Sequence, residues 1–88
     1  MFEVFARNIA YSTDILTVQS GASVSVSFEN QDRGVTHDLS FGIAALPHGN
    51  TCAGPCRDSY TFTAPAPGTY PFFCTVHADM TGTLVVTR

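Results

Sequence analysis

The sequence predicts an all-β fold, a sandwich of two packed sheets built from about seven short strands. Three observations carry this. Helical periodicity is missing throughout, β-branched and aromatic residues dominate, and Gly, Pro, Ser, Asn or Asp interrupts the chain every few positions. With 88 residues there is room for one hydrophobic centre, so the expected organisation is a single domain spanning residues 1–88.

The strands follow in order. Phe2 to Arg7 turns Val4 and Ala6 inward, and Asp14 to Gln19 does the same with Leu16 and Val18. The clearest is Ser23 to Phe28, preceded by Ala22, where strict alternation buries Val24, Val26 and Phe28 and leaves the serines in water. His37 to Phe41 contributes Leu39 and Phe41, and Ser59 to Thr63 contributes Phe62. Thr69 to Phe73 brings Tyr70 and Phe72, and Thr83 to Thr87 brings Leu84 and Val86. Between these runs lie turn-forming stretches at Gln19-Ser20-Gly21, Asn30-Gln31-Asp32-Arg33-Gly34, Pro65-Ala66-Pro67-Gly68 and Thr81-Gly82. Residues 42–58 stand apart as a long segment without strand pattern, carrying Pro47, His48, Gly49, Cys52, Gly54, Pro55 and Cys56. Segments of that length in compact domains are usually functional or pinned.

Composition excludes several function classes. The net charge is −3, and the four bases, Arg7, Arg33, Arg57 and Arg88, lie far apart. The chain therefore lacks the basic cluster whose counterion release drives nucleic-acid binding, and an anionic membrane surface would repel it. No apolar run is long enough to span a bilayer, and Met1-Phe2-Glu3 lacks the basic flank and apolar stretch of a signal peptide.

The chemistry concentrates near the C-terminus. Phe73-Cys74-Thr75-Val76-His77-Ala78-Asp79-Met80 places a thiol, an imidazole and a thioether at Cys-x2-His-x2-Met spacing, between one strand and the next. Thiolate, imidazole and a weak thioether suit copper cycling between two oxidation states, and two His with one Cys and a long axial Met is the electron-transfer arrangement. The loop supplies one His, so the second must come from elsewhere. His37, at the start of a strand after a Gly turn, is the first candidate; His48, in the irregular segment, competes with it and by default is a solvated surface residue.

With these residues in view, the chain resembles the cupredoxins, the small type 1 (blue) copper proteins. The likeness rests on Thr36-His37-Asp38, on Pro67-Gly68-Thr69-Tyr70 leading into Phe72-Phe73-Cys74-Thr75-Val76-His77, and on Met80-Thr81-Gly82-Thr83-Leu84-Val85-Val86. The ligand loop is as short as that of the amicyanins. The resemblance implies a Greek-key sandwich and one copper ion held by His37, Cys74, His77 and Met80. It also implies one-electron transfer between redox partner proteins, with no enzymatic activity. Partners would dock near His77, whose edge would emerge through an apolar collar drawn from Ala44, Ala45, Leu46, Pro47 and Ala78, on a monomer. The implied location is outside the cytoplasm, periplasmic or on the outer face of a membrane, as a free domain or as part of a larger anchored or secreted protein.

Two positions depart from the family. Asn commonly follows the first ligand His and Pro often follows the second, whereas here these are Asp38 and Ala78. In the family that first side chain ties the two ligand-bearing segments together, so Asp38 is expected to accept from the hydroxyl or backbone of Thr75. A carboxylate there keeps the clamp, adds charge, and lowers the potential by favouring the oxidised ion.

Three cysteines outside the cytoplasm are most simply one disulfide plus one thiol kept for metal, pairing Cys52 with Cys56 and leaving Cys74 free. Rival readings weigh less. A thiol-disulfide oxidoreductase needs a spacing one residue shorter and a βαβ pattern. Copper capture by Cys52, Cys56 and His48 requires reducing conditions. A binuclear copper centre needs a second loop cysteine, but position 70 is Tyr and position 78 is Ala. Hydrolytic Cys-His catalysis lacks an oxyanion-hole segment. A copper-holding or copper-delivery module and a purely structural sandwich complete the alternatives.

Overall fold

The computed structural model describes residues 2–43 and 45–88. Met1 and Ala44, the latter one of the expected collar residues, lie outside the described residues. Among the described residues nine strands appear in chain order: β1 (Phe2–Ala6), β2 (Ile15–Gln19), β3 (Ser23–Asn30), β4 (Thr36–His37), β5 (Ser40–Phe41), β6 (Cys52–Ala53), β7 (Cys56–Thr63), β8 (Gly68–Phe73) and β9 (Thr81–Thr87). Among the described residues there is no helix. Two main sheets form, ordered β1-β3-β7 and β2-β9-β8-β5, with a small β4-β6 ribbon beside them. β1 runs parallel to β3 and β2 parallel to β9, while β3-β7, β8-β9 and β5-β8 are antiparallel.

Alternation explains the core. Val4, Ala6, Leu16, Val18, Val24, Val26, Phe28, Leu39, Phe41, Phe72, Leu84 and Val86 are all buried, as their sequence pattern requires. Each large side chain so removed from water contributes roughly 1.5–3 kcal/mol. Aromatic contacts cross the interior: Phe41 of β5 lies 5.1 Å from Phe62 of β7, and Tyr11 bridges Phe28 at 6.0 Å and Phe72 at 5.4 Å. Phe62 and Tyr70, expected inside, are half-buried at the margin of this core. Tyr70 keeps its hydroxyl at the surface, donating to the carbonyl of Ala66 at 2.6 Å. Tyr60, two residues before Phe62 on the same inward face, is buried instead.

Three sequence expectations need correction. The run His37 to Phe41 is two strands in different sheets, broken at Asp38-Leu39. There the Asp38 carbonyl accepts from the Tyr11 hydroxyl at 2.7 Å and the Leu39 carbonyl from Gly49 N–H at 3.1 Å, so neither feeds a strand ladder. The segment 42–58 is not wholly irregular. It contains β6 and the start of β7, which begins at Cys56 because β3 runs on to Asn30 and offers Glu29 and Asn30 as partners for Arg57 and Cys56. Thr81-Gly82 opens β9 rather than forming a turn. Gly82 lies opposite Phe72, and a Cβ there would fall 2.2 Å from the Phe72 ring, so the glycine makes room for an aromatic.

Candidate metal centre

The loop from Cys74 to Met80 is closed by its own backbone. Cys74 N–H donates to the Met80 carbonyl at 3.0 Å, and Met80 N–H donates to the His77 carbonyl at 3.1 Å. This folds the seven residues into a bracket between β8 and β9. Cys74 and Met80 are buried, and His77 is half-buried.

His37 enters from β4. That two-residue strand pairs with β6, where His37 lies opposite Cys52, and the imidazole is fully buried. Its Nδ1 sits 4.0 Å from Cys74 Sγ, and His77 Nδ1 sits 3.8 Å from the same sulfur. The two rings are 4.8 Å apart at their centroids. One donor atom from each of the three side chains lies within 4.8 Å of every other. At zinc-like bond lengths of about 2.3 Å to sulfur and about 2.0 Å to nitrogen, a sulfur and a nitrogen spread about 120° around one ion stand about 3.7 Å apart. Both sulfur–nitrogen spacings lie close to this. Two imidazoles and a thiolate around one point form a site for a single copper ion, with the buried thioether of Met80 on the same loop. His48 is exposed and lies outside the cluster.

The two ligand-bearing segments are locked together by Asp38. Its carboxylate is buried and accepts from Thr75 N–H at 2.7 Å, from the Thr75 hydroxyl at 2.8 Å and from the Ser40 hydroxyl at 3.0 Å. Both donors expected on Thr75 are therefore used at once. Ser40 in turn accepts from Gly49 N–H at 3.1 Å, which carries the network into the segment after β5.

Sequence reasoning overlooked three supporting residues. Asp32 Oδ2 meets His37 Nε2 at 2.7 Å. The Ile9 N–H bond, then the His37 contact, hold its carboxyl below the usual carboxylate range. Asn30, fully buried, donates from Nδ2 to the carbonyls of Val35 at 2.8 Å and Cys52 at 2.9 Å. Tyr11 seats its hydroxyl on the carbonyl of Asp38, and its acidity is suppressed first by burial and then by the negative charges of Cys74 and Asp38. In sequence Asn30 and Asp32 read as turn formers, and Tyr11 falls between two predicted strands. Only the folded chain shows what they touch.

The Cys52–Cys56 disulfide is present and Cys74 is free. The bridge spans β6 and β7 and packs its loop against the Asp32 turn. Gly34 N–H donates to the Gly54 carbonyl at 3.0 Å, and Gly54 N–H to the Val35 carbonyl at 3.1 Å. A Cβ on Gly54 would lie 2.2 Å from the Asp32 carbonyl oxygen, so the approach is too close for any other residue.

A family model described as a cupredoxin-like domain matches residues 1–86. The chain belongs to this family. Among solved structures, this cupredoxin is similar to the dithionite-reduced auracyanin of Roseiflexus castenholzii, with 25% identity, a TM-score of 0.86 and coverage of 99% of this chain and 96% of that one. It is also similar to auracyanin A of Chloroflexus aurantiacus, described as a "blue" copper protein, at 25% identity and a TM-score of 0.82, covering 98% and 97% of the two chains. A reduced copper(I) amicyanin variant aligns at 27% identity and a TM-score of 0.72, covering 97% of this chain and 80% of that one. No curated protein matches the sequence.

Proposed function

We propose that this cupredoxin is an electron carrier and not an enzyme: His37, Cys74, His77 and, more weakly, Met80 would hold one copper ion, which would supply a one-electron couple. The observation that carries the reading is the sulfur of Cys74 lying 3.8 Å and 4.0 Å from two Nδ1 atoms on separate segments of the chain. The bound ion supplies the redox couple. The chain's own residues keep its ligands still while the charge changes.

Asp38 bonds the backbone behind Cys74 to the strand end that carries His37, so the two ligand-bearing segments do not drift apart. Its buried charge favours the oxidised ion and lowers the potential relative to an Asn at this position. Met80 is held by the backbone bonds that close the loop. Electrons leave at the edge of His77, the half-buried ligand, beside the exposed Val76 and Ala78. Partners of such a monomer dock briefly there, because weak redox encounters use small interfaces. The disulfide supports a place outside the cytoplasm, where such bonds persist.

A copper titration tests this. Copper(II) should raise an intense visible charge-transfer band that is absent in Cys74→Ser and His37→Ala and retained in His48→Ala. A stable reversible potential with fast self-exchange identifies a carrier. Ready loss of copper(I) to a chelator would identify a delivery module instead, and a colourless complex would contradict the ligand set.

A further inference from the structure

Asp32 lies five residues before His37, in the connection between β3 and β4, and its carboxylate is engaged on both oxygens. Oδ1 accepts from Asn8 N–H at 2.7 Å, while Oδ2 accepts from Ile9 N–H at 2.8 Å and faces His37 Nε2 at 2.7 Å. Asn8 and Ile9 have φ of 55° and 56°, the left-handed region, where a β-branched residue is an outlier. Such a backbone persists only where its surroundings over-determine it, and here the two bonds to Asp32 do so. Asp32 is itself fixed from behind, its N–H donating to Asn30 Oδ1 at 2.9 Å. Asn30 also binds the carbonyl of Cys52, the register partner of His37.

We propose that Asp32 is a positioning residue for the metal centre: it keeps the ring proton of His37 on Nε2, so that the Nδ1 lone pair faces Cys74, and it couples that ring to the left-handed Asn8-Ile9 segment. A carboxylate only accepts, so the nitrogen 2.7 Å from it carries the proton, and the nitrogen on the Cys74 side is left free to bind a cation. A carboxylate behind a ligating imidazole fixes its tautomer and orientation and makes it a stronger donor, which favours the more highly charged ion. The consequence for copper rests on the function proposed above. The consequence for the tautomer does not.

The two substitutions separate the effects. In Asp32→Asn the amide oxygen can stay toward Ile9 and His37 while its NH2 meets Asn8 N–H donor to donor, so the ring is still held but the charge is gone. In Asp32→Ala nothing accepts from Nε2. Long-range proton–nitrogen NMR of the metal-free protein should show only the Nε2–H form of His37 in the parent chain and a mixture with the Nδ1–H form in Asp32→Ala. Copper(II) affinity should fall about 10- to 100-fold in the same variant. Asp32→Asn should keep the parent tautomer and raise the potential. An unmixed Nε2–H tautomer and parent copper(II) affinity in Asp32→Ala would overturn the proposal and leave Asp32 as a cap on Asn8-Ile9. If Asp32→Ala does not fold, Asp32→Asn decides: a raised potential supports the proposal and an unchanged one refutes it. Failure of the copper reading itself would appear as a parent protein without the visible band, and the tautomer measurement on metal-free protein would still judge Asp32.

Discussion

In the body of the sandwich the fully buried side chains include Val4, Val26, Phe28, Phe41, Phe72 and Leu84, apolar groups meeting apolar groups. At the ligand end they include Asn30, His37, Asp38 and Ser40, each of which is hydrogen-bonded to a specific partner. The body is held by area removed from water, which tolerates small shifts; the ligand end is held by directional bonds, which do not. The two regions should fail differently when mutated. Damage to the body should unfold the chain, whereas damage to the ligand end should change the copper site more than the stability.

Phe72→Ala should have the largest effect on stability. It removes a fully buried ring that packs on Tyr11, Phe41 and Gly82, at a cost of about 3–5 kcal/mol. Chemical denaturation should show this loss, with the copper spectrum unchanged in whatever fraction stays folded. A spectrum altered in step with stability would erase the distinction between the regions. Asp38→Ala comes next. It leaves the buried Ser40 hydroxyl without its acceptor, roughly 1–3 kcal/mol, and frees the N–H and hydroxyl of Thr75, an exposed residue whose donors can turn to water. The charge-transfer band should shift or broaden because Cys74 loses its tether. Asp38→Asn should restore the band and raise the potential.

The body was legible and the ligand end only half so, for a physical reason. Alternation in Ser23 to Phe28 needs nothing but the strand period to identify a buried face, and it held to the residue. The clustering of Cys74 and His77 was legible because one short loop carries them, and that of His37 because it opens a strand after a Gly turn. Asp32 gave no comparable signal. Its role depends on the β3–β4 connection folding back so that a turn residue reaches an imidazole five positions on, and on two N–H groups from a segment more than twenty residues earlier. Tyr60 was overlooked although it lies two residues before Phe62, on the face that the same alternation assigns to the core. Gly82 reads as a turn until Phe72 is seen opposite it.

The remaining predictions sharpen the comparison at smaller scale. Replacing Cys52 and Cys56 by Ser removes a five-residue closed loop, worth about 2 kcal/mol in the chain-entropy model. Because β6 pairs directly with His37, the copper spectrum should also change, which a purely entropic crosslink would not cause. Thermal unfolding and visible spectra of the same samples separate the two. The smallest effect belongs to Glu29, whose carboxyl is held below its ordinary range, mainly by Gln31 and then by Arg57. A depressed folded value means that its contribution is present above the ordinary carboxylate pKa and disappears as pH falls through the folded one. Glu29→Gln should therefore lie slightly below the parent in stability at neutral pH and converge with it in acid, with no change at the copper site.

X-ray absorption of the copper-loaded protein in both oxidation states addresses the central claim most directly. One sulfur near 2.3 Å and two nitrogens near about 2.0 Å should persist through reduction, with no ligand gained or lost. A nitrogen that departs on reduction, or a second sulfur as close as that of Cys74 in either state, would contradict a single ion held rigidly by His37, Cys74 and His77 with Met80 only weakly bound.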